Sequence, residues 1–350
     1  MRKIIERSPS METSVSVGLD IGHSAPKSVW ANSLHPGEHH TDSFPTFVIK
    51  AFELGQDTPS TSAMTVEIDG EKYFIGETAR RQGRMERFTG LDEDWIHSAK
   101  HDALVVGAFQ RVLANIATRQ PTPPSHFEVV VGLPSGLFMA QRDALRERVT
   151  ARLSKLLKDG QTIAVRPQDQ AFGPLQEIMF TQDGKINPSR DLENESWGAI
   201  EVGQFSTDFS LFEQGERIES AAGSCSGMYT VYERLAPQLK KAKLPNDFLA
   251  LDMAVRTGEI KIFNDVTDVR EMVANSVAPL IDEIIETATV RFGTRRNYLT
   301  GLVIAGGGAP LMLDRLKEFI PCARMPELPR FSVAEGFCRL GLHAASIAKQ

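Results

Sequence analysis

The strongest constraint on the fold of this chain is a sequence unit that occurs twice at long range. Residues 15–22 form an alternating apolar run that ends in a glycine turn, and a second apolar run follows at residues 28–33. The same plan of strand, glycine turn and strand returns at residues 196–215. Two apolar runs joined by a tight glycine turn are typical of a β-hairpin. We therefore expect two related α/β halves that each open with a hairpin and face each other across a cleft.

The composition is that of an ordinary globular protein and argues against several functions. The chain has 350 residues, 41% hydrophobic and 24% charged, which is enough for two domains with separate cores. Its net charge of −6 offers no basic surplus for direct nucleic-acid binding. No apolar run is long enough for a membrane span, and the three scattered cysteines, without a CxxC pair, predict neither a disulfide framework nor a zinc site. We expect a cytoplasmic protein without a membrane partner.

The first glycine turn, residues 19–27, contains the residue types that a phosphate site needs. Gly22, Ser24 and Ala25 are small, so their backbone N–H groups could approach a phosphate closely. Asp20 at the end of the strand could hold Mg²⁺ through water, and Lys27 could reach a β- or γ-phosphate. The alternative is a plain hairpin with a surface lysine.

The second turn, residues 200–208, repeats the order of an acid, an apolar residue, a glycine and polar residues. Glu201 takes the position of Asp20 in this plan, and Asp208 adds a second carboxylate. The groups that could face a phosphate come from Gly203, Gln204, Phe205 and Ser206.

The third turn has three consecutive glycines, Gly306, Gly307 and Gly308, between an apolar strand and a helix. Glycines permit close contact with a ligand, and a helix N-terminus favours an anion or polar atoms. The segment matches neither the GxGxxG nor the P-loop pattern, so Rossmann and P-loop assignments are rejected. The alternative is a tight strand-to-helix turn.

Together, the three turns resemble those of the actin, sugar kinase and DnaK-type chaperone superfamily, in the same order along the chain. The segments FEVVVGLP, VRPQDQAFG, STDFS, SGMYTVYERL and RFSVAEGFCRLG resemble the bacterial plasmid-segregation actins of the ParM (StbA) type. The resemblance implies an α/β actin-like fold with two related domains, each with a mixed five-stranded sheet and flanking helices, around a nucleotide cleft. We expect residues 1–13 to be a flexible tail, residues 14–170 and 325–350 to form domain I, and residues 171–324 to form domain II.

The resemblance also implies roles for individual residues. Asp20 and Glu201 would flank Mg²⁺ and its waters, and Gln168 would position the water that attacks the terminal phosphate. Asp208 would order the second loop, and the three glycines of the third turn would pack against the nucleoside. The phosphates would be held by Gly22, His23, Ser24 and Ala25 with Lys27, and by Gly203, Gln204, Phe205 and Ser206; no side-chain role is assigned to His23.

As a member of this group, the chain would bind ATP, or alternatively GTP, with Mg²⁺ and hydrolyse it. It would polymerise head to tail with bound nucleotide, disassemble on hydrolysis, and segregate plasmid DNA through a DNA-binding adaptor protein.

Two positions depart from the family pattern and keep other functions open. Glu201 stands where the second hairpin normally has Asp, and Phe205 stands where a small or polar residue is usual. The longer Glu201 side chain puts the hydrolysis rate in question and favours a nucleotide-binding scaffold with little turnover as one alternative. Asp169, next to Gln168, could serve as the base of a non-polymerising small-molecule kinase, which is the other.

Between the motifs, the sequence predicts a loop at residues 35–45, because Pro36, Gly37 and two adjacent histidines interrupt any apolar pattern. It also predicts that Pro167 breaks the strand that begins near residue 162.

Overall fold

The computed structural model describes residues 13–56, 58–83, 94–120 and 122–347 of the chain. The expected tail lies outside these residues except for Thr13. In the described part of the chain, no helix is long and apolar enough to cross a membrane.

The first half contains two sheets and the helices that cover them. The main sheet has the strand order β3-β2-β1-β7-β8, and a small sheet has the order β4-β6-β5. Strands β1, β7 and β8 run parallel, whereas β2 and β3 are antiparallel to their neighbours. The elements are β1 (Ser14–Ile21), β2 (Pro26–Asn32), β3 (His35–Ser43), β4 (Val48–Lys50), α1 (Pro59–Ala63), β5 (Thr65–Ile68), β6 (Glu71–Ile75), α2 (Gly76–Gln82), α3 (Ala99–Arg119), β7 (His126–Leu133), α4 (Ser135–Ser154), β8 (Thr162–Asp169) and α5 (Gly173–Met179).

The second half repeats this plan. Its main sheet has the order β11-β10-β9-β15-β16, with β12 paired to β10 as a sixth strand, and β13 and β14 form a separate hairpin. The elements are β9 (Ser196–Val202), β10 (Ser206–Glu213), β11 (Glu216–Arg217), β12 (Gly223–Ser226), α6 (Tyr229–Lys241), α7 (Phe248–Thr257), β13 (Glu259–Ile262), β14 (Asp265–Asp268), α8 (Arg270–Phe292), β15 (Gly301–Ala305), α9 (Ala309–Phe319), β16 (Ala323–Arg324) and α10 (Ser332–Ile347).

The two main sheets confirm the expected pair of α/β halves. The strands of the first lie between residues 14 and 169 and those of the second between 196 and 324. Each half has its own large apolar core. The C-terminal helix α10 returns to the first half, where it packs against β1, β7 and α5. The domain boundaries expected from the sequence remain predictions.

Strand β1 is buried along its whole length because helices cover both faces of the sheet. Val15, Val17 and Leu19 point into the core that contains residues of α3. On the opposite face, Ser16 Oγ donates a hydrogen bond of 2.8 Å to the carbonyl of Cys338 on α10. Small side chains on this face allow α10 to lie close to the sheet.

Two local predictions were wrong. The expected loop at residues 35–45 contains β3, which pairs with β2 despite Pro36 and Gly37. Its pairing comes from the neighbouring strand, which a local sequence pattern does not reveal. Pro167 also lies inside β8, in register with Val131 of β7, because β8 is the edge strand of its sheet and can spare one N–H group.

His39 on β3 ties this edge of the sheet to α10. Its Nδ1 lies 2.9 Å from Oε2 of Glu335, and its Nε2 lies 3.0 and 2.8 Å from the carbonyl oxygens of Pro36 and Gln182. Both ring nitrogens therefore face acceptors, which suits the doubly protonated ring. Burial opposes protonation, but the hydrogen bond and charge of Glu335 outweigh it and raise the pKa of His39 above its ordinary value.

Gly336 allows the close contact of α10 with α5, because a Cβ at this position would lie 1.9 Å from the carbonyl oxygen of Gly173. We expect Gly336→Ala to lower the free energy of unfolding by about 3 kcal/mol through overpacking. Urea denaturation followed by circular dichroism would measure this loss. The matched control is Gly136→Ala in α4, where a Cβ would meet nothing within 4 Å; it should be neutral or slightly stabilising. Equal effects of the two substitutions would contradict the packing argument.

The raised pKa of His39 predicts a pH-dependent contribution to stability. Protonated His39 stabilises the fold fully below its unfolded pKa, near 6.5, and this contribution is lost as the pH rises through the higher folded pKa. We expect His39→Asn to lower the unfolding free energy by on the order of 1–2 kcal/mol at pH 6 and by less at pH 8.5. Urea titrations at both pH values would test this, with His35→Asn at the exposed start of β3 as the control. A deficit that is the same at both pH values would argue against a charged His39.

Candidate functional site

Two hairpins, β1–β2 and β9–β10, place their acidic residues at matching positions in the two halves. In the first hairpin Asp20 is in register with Lys27, and in the second Glu201 is in register with Asp208. Each acid lies one residue before the end of its strand. In both hairpins the acid is therefore followed by one apolar residue and then by the glycine that begins the turn. The repeat expected from the sequence is therefore present in register as well as in order.

The carboxylate of Asp20 in the first hairpin contacts two side chains. Lys27 Nζ lies 2.6 Å from its Oδ2, and both side chains are largely buried. Gln170, which follows β8, donates from Nε2 to Oδ1 of Asp20 at 2.9 Å. The loop itself is held by Thr46, whose hydroxyl donates to the carbonyl of Gly22 at 2.7 Å. The carboxylate is therefore fixed by an ammonium on one oxygen and an amide on the other.

The second hairpin carries two carboxyl groups at the cleft, Glu201 and Asp208, and has no lysine or arginine. Burial raises the pKa of Glu201 to about 8, with Asp20 and Asp208 adding to this shift and Lys27 opposing it. Burial likewise raises the pKa of Asp208 to about 6, against the hydrogen bond of 2.7 Å that it accepts from Ser206. The second half of the cleft thus contains acidic groups that lack compensating positive charge.

The triple-glycine turn packs directly behind the second hairpin. Gly306 has a φ of +89°, and a Cβ there would lie 2.4 Å from the carbonyl oxygen of Val202 and 2.6 Å from Oε1 of Glu201. The N–H of Gly308 donates to the same carbonyl at 3.1 Å. Around Gly307 a Cβ would meet nothing within 4 Å, so this residue is the member of the turn that faces open space.

A cavity of about 660 Å³ lies beside the two loops, within the size range of small-molecule sites. Its wall from the second half contains four aromatic side chains, and polar groups are contributed by Glu233 and Lys240 among others. The first half contributes His23, Ser24, Thr46 and Phe47, and the second contributes Gln204, Phe205, Tyr229, Tyr232 and Phe248 among others. A second cavity of about 70 Å³ lies between the hairpins and is lined by Asp20, Lys27, Gln170, Glu201 and Asp208 among others.

Aromatic side chains bridge the two loops across the cleft. The ring of His23 stacks on Trp95 at 5.2 Å and meets the ring of Phe205 edge-on at 5.5 Å. Phe205 in turn lies 5.1 Å from the ring of Tyr229. Burial lowers the pKa of His23 to about 4, so the ring is neutral at pH 7. The departure from the family pattern at Phe205 therefore has a structural counterpart in a contact between the two halves.

The structure brings most of the expected residues together, but Gln168 and the three glycines of the third turn line neither cavity. The cavity between the hairpins is lined by Asp20, Gly22, His23, Ser24, Lys27, Glu201, Gly203, Gln204, Phe205, Ser206 and Asp208. Ala25 is buried at the end of the first loop. Gln168 lies within β8 and is not among the residues that line either cavity, whereas Gln170, two residues later, contacts Asp20. Because β8 continues past Pro167 to Asp169, the chain reaches the cleft at Gln170 and not at Gln168.

Asp169, the base that a kinase would need, is fully engaged elsewhere. It is buried and forms an ion pair with Arg217 on β11. Its Oδ1 accepts hydrogen bonds from the hydroxyl of Ser135 at 2.6 Å and the N–H of Ala171 at 3.0 Å. The ion pair joins the two halves, and together the three contacts occupy the carboxylate of Asp169 in holding the structure.

The aromatic and charged lining from α6 was not identified from the sequence. Tyr232 and Glu233 lie three and four residues after Tyr229, and Lys240 lies eight and seven residues after them, which is the spacing of one helix face. The signal was therefore present, but this spacing is also that of an ordinary amphipathic helix.

Comparisons with known proteins agree with this geometry. Residues 18–169 match the protein family described as "Actin like proteins N terminal domain". No curated protein matches the chain. A solved structure of a non-polymerisable quadruple mutant of pCBH ParM has a TM-score of 0.68 and 20% identity, covering 94% of this chain and 99% of that one.

Two further structures are similar at comparable levels. A 15-stranded ParM filament from Clostridium botulinum has a TM-score of 0.63 and 17% identity, covering 94% of this chain and 99% of that one. An archaeal actin homologue, Ta0583, in complex with ADP has a TM-score of 0.60 and 16% identity, covering 95% and 99%. The chain therefore has an actin-like fold, and its first half matches the actin-like family. Its fold is that of the ParM-type bacterial actins, as the sequence resemblance predicted.

Proposed function

We propose that this chain binds a purine nucleoside triphosphate with Mg²⁺ between its two hairpins, hydrolyses it, and assembles head to tail into filaments. The observation that carries the proposal is the pair of hairpins in matching register, with their acidic residues around one cavity. A similar structure with ADP and another in a filament support it.

The charges around the smaller cavity fit a divalent cation and phosphates. Asp20, Glu201 and Asp208 supply three carboxylates, and Lys27 supplies one ammonium. The raised pKa values of Glu201 and Asp208 reflect buried carboxyl groups without enough positive charge nearby. Mg²⁺ takes one or two carboxylates and keeps several waters. Asp20 and Glu201 would therefore hold the ion, mainly through its waters.

The larger cavity fits the nucleoside. Its volume of about 660 Å³ and its aromatic wall suit a purine and ribose. Gly22 to Ala25 and Gly203 to Ser206 would then surround the phosphates, with Lys27 beside the terminal ones. The smaller cavity, at about 70 Å³, is too small for a triphosphate, so we expect His23 and Phe205 to separate when nucleotide enters.

The reaction would be phosphoryl transfer to water, in which the protein positions the reactants and balances charge. Bound Mg²⁺ would neutralise charge on the phosphate oxygens. Gln170, held 2.9 Å from Asp20, would orient the attacking water through its amide. Lys27 would stabilise the negative charge that shifts onto the oxygens of the leaving group. Phe205 and His23 would exclude bulk water from this space.

The biological role follows from assembly. Head-to-tail contacts between copies produce open filaments when the rotation between successive copies does not close a ring. We propose that such filaments move plasmid DNA through a DNA-binding adaptor protein and that ATP, or alternatively GTP, drives their turnover. The engaged state of Asp169 favours this function over a small-molecule kinase.

We expect the purified protein to sediment in the presence of Mg²⁺ with ATP or GTP and to remain in solution without nucleotide. Light scattering and phosphate release, followed in the same sample, should show assembly first and disassembly as phosphate accumulates. Binding of nucleotide without any sedimentation would move the conclusion to an enzyme that does not polymerise. Sedimentation without phosphate release would indicate a scaffold.

Substitution of Gln170 by Ala should slow phosphate release by about 100-fold, within the usual range for loss of a group that assists proton or water positioning. Nucleotide affinity, measured with a fluorescent analogue, should change little. Gln168→Ala is the matched control, since Gln168 does not line the cleft. Slow release by Gln168→Ala with normal release by Gln170→Ala would restore the role first expected for Gln168.

A further inference from the structure

The hairpin formed by β13 and β14 projects from the second half of the molecule. Ile260 on β13 is buried in the core beside α7 and anchors the hairpin. All four residues of β14, Asp265–Asp268, are exposed, and β14 pairs with β13 alone among the described strands. Arg270 pairs with Glu259 and Asp268 at the base of the hairpin. The far end of the hairpin therefore extends into solvent.

Phe263 at the end of this hairpin is exposed and strained. It is the first of two residues between Ile262 and Asp265, its φ is +54°, and its side chain is 94% exposed. A bulky residue is rare in this region of φ, where glycine and asparagine are favoured. Val266 beside it is 58% exposed. Within one molecule Phe263 gains neither burial nor a relaxed backbone, which indicates a contact outside the molecule.

A second exposed apolar patch lies at the C-terminal end of α8. Val290 is 76% exposed and Tyr298 is 78% exposed. Residues 290–300 contain three arginines and no acidic residue. Arg296 lies over the ring of Phe319, with its guanidinium carbon 4.9 Å from the ring centre, and Arg295 forms an ion pair with Glu213. We call Phe263, Asp265 and Val266 the tip patch, and Val290, Arg295, Arg296 and Tyr298 the base patch.

The two patches lie at opposite ends of one rigid element. Helix α8 begins at Arg270, directly after the hairpin, and ends at Phe292, directly before most of the base patch. Its 23 residues span about 34 Å, so the patches of one molecule lie far apart. The patches differ in chemistry, and a contact between unlike patches on the two ends of a molecule can repeat from copy to copy, which gives an open filament when the rotation does not close a ring.

We infer that the tip patch of one molecule binds the base patch of a second copy of this chain. Phe263 would pack between Val290 and Tyr298 of the second copy, and Asp265 would face its arginines. Aromatic residues are frequent anchors of protein interfaces, and the opposite charges would orient the two surfaces. This inference rests on the proposed function, for which it names the contact between subunits.

The first test uses Phe263→Asn, which removes the aromatic ring and relaxes the backbone. We expect its thermal unfolding temperature to equal or exceed that of the wild type, while the critical concentration for assembly rises about tenfold or more. The control is Met139→Ser on α4, another exposed apolar residue (75%) in the other half of the molecule. Assembly of Phe263→Asn at the wild-type critical concentration would overturn the inference and leave the proposed function standing.

The second test does not require filaments. In a background with Cys225→Ser and Cys322→Ser, Asn264→Cys, next to Phe263, is mixed with a tagged variant carrying Asn297→Cys, next to Tyr298, and disulfide-linked species are separated after mild oxidation. Both variants keep Phe263 and Tyr298, and we expect a linked dimer of tagged and untagged chains in the mixture and little linkage of either variant alone. Linkage of Asn264→Cys to itself would indicate a tip-to-tip contact and contradict the inference.

The two tests distinguish the two conclusions. A wild type that never sediments would contradict the proposed function, and the linked dimer would still decide whether the patches meet. Absence of the mixed dimer at high protein concentration would overturn the inference whatever the wild type does.

Discussion

The cleft depends on the ion pair between Asp20 and Lys27. It is largely buried, and Gln170 completes the hydrogen bonding of the carboxylate from the end of another strand. Breaking such a pair on one side would leave an uncompensated charge in a poorly solvated space, which is far more costly than losing a surface contact. Because Lys27 compensates Asp20, the carboxyl groups left without a cation are Glu201 and Asp208, and burial raises their pKa values to about 8 and about 6. The site is thus arranged to gain from a bound cation.

The two halves are related but are not electrostatically equal. The same register position holds Lys27 in the first hairpin and Asp208 in the second. This difference gives the cleft one side that can meet a phosphate and another that can meet the ion accompanying it. Phe205 adds a second asymmetry, since its contact with His23 joins the loops where a smaller residue would leave them apart. Binding of nucleotide and movement of the halves would therefore be coupled through one aromatic contact.

Helix α8 connects the site to the ends of the molecule. Its middle part packs in the core of the second half. Glu283 on α8 accepts a hydrogen bond from the N–H of Ser226, which ends β12 shortly before α6 begins. Its two ends lie next to the tip patch and the base patch. A change in the position of the second half around nucleotide would move both patches together as one body. With the proposed function, this arrangement would let the state of the cleft affect assembly.

The sequence alone determined the two hairpins, their acids and the glycine turns, because these depend on local alternation and on residues that only certain backbones accept. It also determined the family resemblance, since the order of three turns is a property of the chain. Tertiary structure decided the rest. Strand β3 formed against local preference because a neighbouring strand and Glu335 hold it, and Gln170 replaced Gln168 in the cleft because β8 runs past Pro167. The aromatic cavity and the distance between the two exposed patches required packing in space, which periodicity in one helix cannot specify.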